Sequence, residues 1–152
     1  MSKRPIQRFI STLAIATAAM TLAGCFSMGG PTQDERAAQL AAELEGAGLG
    51  VSQAEVSYQD SFSGDLTVTV TLEDSVIEPG LSVSAQTLGP ILGVMARAAE
   101  SMRVGAAGFY AQDDDGVDVS MVPAASDLGI GDAVRGRSLS LSGAKLEQLA
   151  KQ

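Results

Sequence analysis

The sequence predicts a small α+β two-layer sandwich, an antiparallel sheet with helices on one face, and three observations carry that prediction. Leu66, Val68, Val70 and Leu72 alternate with Thr67, Thr69 and Thr71, the period of two that marks a strand buried on one side only. Leu81, Ala85, Leu88, Leu92, Met95, Ala99 and Met102 recur in steps of four and three, which gathers them on one stripe of a helix. Helical and hairpin patterns then alternate along the chain, and such alternation favours helices packed against an antiparallel sheet. The order helix, hairpin, helix, hairpin is also compatible with a duplicated αββ unit, although the halves share pattern more than residues.

The domain is expected to span 32–152. Thr32-Gln33-Asp34-Glu35 reads as a capping box, in which the Thr hydroxyl accepts from the third helical amide and Glu35 reaches back. The first helix should run to about Glu45, with Ala37, Leu40, Ala41 and Leu44 on its inner face and Gly46, Gly48 and Gly50 ending it. Ala54, Val56 and Tyr58 alternate with polar residues and predict a strand; Ser61-Phe62-Ser63-Gly64-Asp65 turns the chain into the Leu66–Leu72 strand. Glu78-Pro79-Gly80 interrupts the pattern before the long apolar stripe. Proline is best tolerated in a first turn, so Pro90 predicts a helix capped by Thr87, with Leu81 to Gln86 as a separate turn.

Val104 to Gln112 and Val117 to Val122 flank Asp113-Asp114-Asp115-Gly116 and predict a second hairpin with Val117, Val119 and Met121 on one face. The segment carrying Gly129, Gly131 and Gly136 reads as loop, because its spacing does not fit a phosphate-binding Gly-x-Gly-x-x-Gly. Leu139 and Leu141 suggest a fifth strand, and Gly143 to Ala150, with Leu146 and Leu149, a last helix.

The first 25 residues have a different character. Lys3, Arg4 and Arg8 precede an apolar run from Phe9 to Ala23, and Leu22-Ala23-Gly24-Cys25 closes it with small residues before a single cysteine. The run is shorter than a membrane-spanning helix and is interrupted by Ser11, Thr12, Thr17 and Thr21. Leu22-Ala23-Gly24-Cys25 resembles the lipobox of bacterial lipoproteins. The resemblance implies that 1–24 is a signal peptide, that Cys25 is the lipid attachment site, and that the chain is exported and held by its lipid on the outer face of the cell membrane. In a cell with two membranes it implies the outer membrane, because Phe26 stands where Asp often signals retention. Residues 25–31, with Gly29, Gly30 and Pro31, then form a lipidated tether. The resemblance assigns no family to the domain itself.

Composition narrows the chemistry. Removing 1–24 takes away Lys3, Arg4 and Arg8 and no carboxylate, which leaves 7 basic against 18 acidic residues and a formal side-chain charge of −11. A chain this acidic, without a basic run, is expected to bind no nucleic acid. The single cysteine, consumed by the lipid, permits no disulfide. Histidine is absent, which removes the usual general base, the Cys-His and Ser-His-Asp arrangements and the commonest transition-metal ligand. Tryptophan is absent too, so aromatic platforms for sugars or bases are thin.

Three local patterns invite a chemical reading. Asp113, Asp114, Asp115 and Asp118 crowd carboxylates around Gly116, but an EF-hand frame would put its first and twelfth ligands at Ala111 and Val122, so a solvated hairpin tip is expected and no metal. Ser142-Gly143-Ala144-Lys145 matches the Ser-x-x-Lys pattern of penicillin-recognising enzymes without the partner motifs, so Ser142 is expected to cap the last helix. Gly89 and Gly93 form Gly-x-x-x-Gly, expected to let the helix approach the sheet closely, or else to serve a homodimer contact. The sequence therefore leads to a cell-envelope lipoprotein acting as a non-catalytic binding or interaction module, without cofactor, meeting the membrane through its lipid and an envelope protein or second copy as partner. The alternatives are a small envelope hydrolase using Ser142 and Lys145 or carboxylates, and a carrier of a lipid or apolar ligand held behind Met95 and Met102.

Overall fold

The computed structural model describes residues 30–151, so the lipobox residues Leu22, Ala23, Gly24 and Cys25 lie outside the described residues. The domain, Pro31–Gln152, is one compact unit of α+β class. Helix α1 (Gln33–Gly46) is capped as its sequence predicts: Glu35 N donates to Thr32 Oγ1 at 3.2 Å and Thr32 N to Glu35 Oε2 at 2.7 Å. Strands β1 (Val51–Gln59) and β2 (Asp65–Leu72) form the expected antiparallel hairpin, Val56 opposite Val68. Two short strands, β3 (Ile77–Glu78) and β4 (Ser82–Val83), make a small separate sheet around the Glu78-Pro79-Gly80 break.

Helix α2 (Ala85–Met102) begins earlier than Pro90 suggests. Ser84, not Thr87, is its cap, accepting from Thr87 N at 3.3 Å, and Pro90 sits inside the helix. Its missing N–H belongs to the solvent side, where Pro90 and Gln86 are exposed and water can serve the freed carbonyl. Leu81 does not join the apolar stripe: it lies in the β3–β4 turn at φ 54°, exposed.

Strand β5 (Ala106–Gln112) follows α2, then α3 (Val122–Asp127), β6 (Val134–Arg135), β7 (Ser138–Ser142) and α4 (Gly143–Ala150). The main sheet has the order β1-β2-β5-β7-β6. Three of its junctions are antiparallel, while β2 and β5 run parallel, Val68 beside Phe109, because α2 carries the chain back before β5 enters. The second hairpin is cut short. Gln112 and Asp118 make a single bridge, and the expected Val117–Val122 strand dissolves into a connection to α3. The place beside β5 is taken by β7, whose Leu139 and Leu141 supply the core residues there.

The αββ duplication is therefore not realised. Superposing α1-β1-β2 on α2-β5-β7 requires a half-turn about an axis in the sheet, across the strands, because β1 and β5 run in opposite directions. That operation would put α1 and α2 on opposite faces, yet the two helices pack against each other.

Leu66, Val68, Val70 and Leu72 of β2, Ala107, Phe109 and Ala111 of β5, and Leu139 and Leu141 of β7 are buried in one core with Leu40 and Leu44 of α1, the inner stripe of α2 and Leu146 and Leu149 of α4. The other face of the sheet is open to solvent, with Glu55, Ser57, Thr67, Tyr110 and Ser140 exposed. Of its two edges, one is the two-residue β6. The other is β1, which carries a bulge between Val51 and Gln53 and whose Ala54 N–H donates to Glu45 Oε1 at 2.9 Å.

Candidate functional site

Helix α2 has two working faces. The inner one holds Leu88, Ile91, Leu92, Met95, Ala99 and Met102, all buried. The outer one presents Gln86, Gly89, Pro90, Gly93 and Arg97, which recur at helical spacing on the side turned from the sheet. The Gly-x-x-x-Gly pair therefore faces away from the sheet, contrary to the close packing its sequence suggested: a Cβ on Gly89 would meet Leu128 Cδ2 at 3.3 Å, and one on Gly93 would meet Arg97 Nη1 at 3.4 Å. Neither contact is with a strand.

These glycines floor a cleft of about 590 Å³. Ala47 and Leu49, just after α1, wall it on one side; Leu128, after α3, and Leu149 of α4 close the others. The missing side chains of Gly89 and Gly93 leave room on this face of α2. The volume falls within the range of small-molecule sites. The polar groups of the lining are the amide of Gln86 and the guanidinium of Arg97, which folds back toward Gly93. Among the described residues the ion pairs are Arg137–Asp118 at 3.7 Å and Lys145–Asp132 at 3.3 Å, and neither involves Arg97. Arg97 is thus one of several guanidiniums that pair with no carboxylate among the described residues, and it stands beside an apolar hollow. Such a surface can take an acyl chain or ring and pair its anionic end with Arg97. Among the described residues that line it there is no hydroxyl, thiol or carboxylate side chain for chemistry.

The sites read from sequence lie elsewhere. Asp113 Oδ1 accepts from the backbone N–H of Asp115 at 3.0 Å and of Val117 at 2.7 Å, and so builds the turn around Gly116 (φ 78°). Asp114 accepts from Ser52 Oγ at 3.1 Å, and Asp118 faces Arg137. Three of the four carboxylates, those of Asp113, Asp114 and Asp118, are spent on different neighbours, and no group of three or more ligating side chains is gathered for a metal among the described residues. Ser142 Oγ accepts from Lys145 N at 3.4 Å as the N-cap of α4. The Lys145 ammonium, 21% exposed, points to Asp132 instead. Both residues border a shallow depression with Ser140 and Arg135, but hydroxyl and amine are each held by another partner. Gly129 (φ 70°) ends α3 and Gly136 (φ 64°) turns β6 into β7. Met95 and Met102 are fully buried core, with the helices closed over them.

Sequence reasoning missed Arg97, Leu49 and Leu128. The signal was present for Arg97, which lies four residues after Gly93 on the face opposite the apolar stripe; Leu49 and Leu128 come from distant turns and join only in the fold. No helix among the described residues is long and apolar enough to cross a membrane. No family model matches the sequence, and no curated protein or solved structure is similar to it.

Proposed function

We propose that this chain is an exported lipoprotein, anchored through Cys25, whose domain is a non-catalytic binding module at the cell envelope, and that the α2 cleft holds its ligand. The cleft over Gly89 and Gly93 carries the binding reading: it is concave, apolar and bordered by Arg97, which makes no ion pair among the described residues. The ligand this chemistry fits is amphipathic, with an apolar body and an anionic end. The anchoring reading rests on Leu22-Ala23-Gly24-Cys25 after the apolar run of residues 9–23. A hydrolytic role for Ser142 and Lys145 has less support, because the Ser142 hydroxyl is engaged as a cap and the Lys145 ammonium as an ion pair.

Full-length protein expressed with radiolabelled palmitate is expected to carry label, and Cys25→Ser to lose both label and membrane sedimentation. Organic extraction of the purified protein should release an anionic amphipath that is missing from Gly93→Leu, whose side chain fills the cleft. Label retained by Cys25→Ser would refute the anchoring. Equal extracts from both proteins would refute the cleft, and covalent capture of Ser142 by an acylating probe would refute the non-catalytic reading.

A further inference from the structure

One end of the domain is built from three segments far apart in sequence. Gly105 N donates to Ser63 O at 2.7 Å and to Gly64 O at 2.9 Å, which ties the start of β5 to the β1–β2 turn. Gln33 Nε2 donates to Met102 O at 3.2 Å, and the Arg36 guanidinium to Ser101 O, which ties the start of α1 to the end of α2. The chain toward Cys25 therefore leaves the domain at this end. The seven residues from Cys25 to Thr32 span at most ~25 Å when fully extended. A compact domain of this length has a radius of gyration of about 14 Å, so that connection is shorter than the domain is wide.

Phe62 stands at the tip of the β1–β2 turn at this same end, and it is fully exposed. A single exposed apolar residue is ordinary on a protein surface. Phe62 is distinguished by its place: a bare aromatic ring beside the point where a lipid-bearing segment would emerge. The other exposed large aliphatics, Leu81, Val117 and Val122, belong to the opposite end, where Ser120 N donates to Leu81 O at 2.7 Å.

Charge is divided in the same sense. At the opposite end Ser52 reaches Asp114, Ala54 N–H reaches Glu45, and Glu73 N donates to Gly50 O, so Glu45, Glu73, Asp74 and the Asp113–Asp118 carboxylates crowd together with Arg137 as their cation. At the Phe62 end Arg36, Arg103 and Lys145 stand against Asp34, Glu35, Asp60, Asp65, Glu100 and Asp132, a milder excess. An anionic bilayer surface repels the first end much more than the second.

We infer that the Phe62 end of the domain rests on the bilayer that holds the Cys25 lipid, with the Phe62 ring at headgroup level and the acidic end turned outward. The inference rests on the anchoring proposed above.

The chain has no tryptophan, so Phe62→Trp and Val117→Trp each place one fluorophore, at opposite ends, on exposed positions. Full-length, palmitate-labelled protein is reconstituted into vesicles of phosphatidylethanolamine and phosphatidylglycerol containing brominated phosphatidylcholine. Phe62→Trp should show blue-shifted emission and lose it to the bromolipid, while Val117→Trp keeps a water-exposed spectrum. Quenching of both, or of neither, in labelled protein overturns the inference and leaves the anchoring intact. Absence of palmitate label overturns the anchoring, and this orientation with it.

Discussion

Val70 and Thr69 are neighbours in sequence, yet they meet different solvents. Val70 is fully buried between the strands and the helix layer, whereas Thr69 lies on the open face beside Tyr110. Val70→Ala is expected to cost about 1 to 3 kcal/mol, from lost burial and the cavity left behind. Thr69→Ala should cost about 1 kcal/mol or less, the range of a strand-propensity change at a half-exposed site. Urea unfolding of the two variants measures both. A similar cost for each would mean that a second layer covers the threonine face. The strand alternation makes this contrast legible in the sequence, because a period of two assigns every residue of β2 to a side before any neighbour is known.

At the scale of the element, α1 and α4 were legible because their caps are local. Thr32 with Glu35, and Ser142 with Lys145 N, need only the residues within one turn. The start of α2 was less so: Pro90 argues locally for a later start, but the Ser84 cap and the burial of Leu88 and Ile91 outweigh one lost hydrogen bond on the wet side of the helix. The second hairpin failed for a non-local reason. Val117 to Met121 alternates as a strand should, but the slot beside β5 goes to β7, and Val119 and Met121 bury themselves on the way to α3. The glycines of α2 give this scale its prediction. Gly93→Ala should stabilise the protein by up to about 1 kcal/mol, since helix propensity rises and the new Cβ meets only the mobile end of Arg97 at 3.4 Å. Gly105→Ala should destabilise it, because its Cβ would come within 2.6 Å of Ser63 O. Thermal melts of the pair test whether Gly93 is kept for the cleft rather than for the helix.

Across the whole molecule, the fold class was readable and the candidate site was not. Class follows from patterns that repeat within a few residues; the cleft needs Leu49, Leu128 and Leu149 brought to one helix from three separate parts of the chain. The parallel β2–β5 junction is likewise a property of the assembled sheet. The Glu45 carboxylate that takes the Ala54 N–H of edge strand β1 acquires its meaning at this scale. If the chain is held by lipid as proposed above, its copies share a plane, where each meets its neighbours at a local concentration that dilution of the cell contents does not lower. Two nine-residue edges meeting sideways could then zip into a ribbon of sheets. With Glu45 seated on the strand, such zipping would first have to expel a carboxylate from its donor. Glu45→Ala should therefore raise lateral association of protein reconstituted in vesicles, read by cysteine-free crosslinking or light scattering, and Glu45→Gln, which keeps an acceptor oxygen, should not. One glutamate at the end of α1 would thus act as a guard against crowding, holding each copy to its own sheet on a surface where copies cannot drift apart in depth.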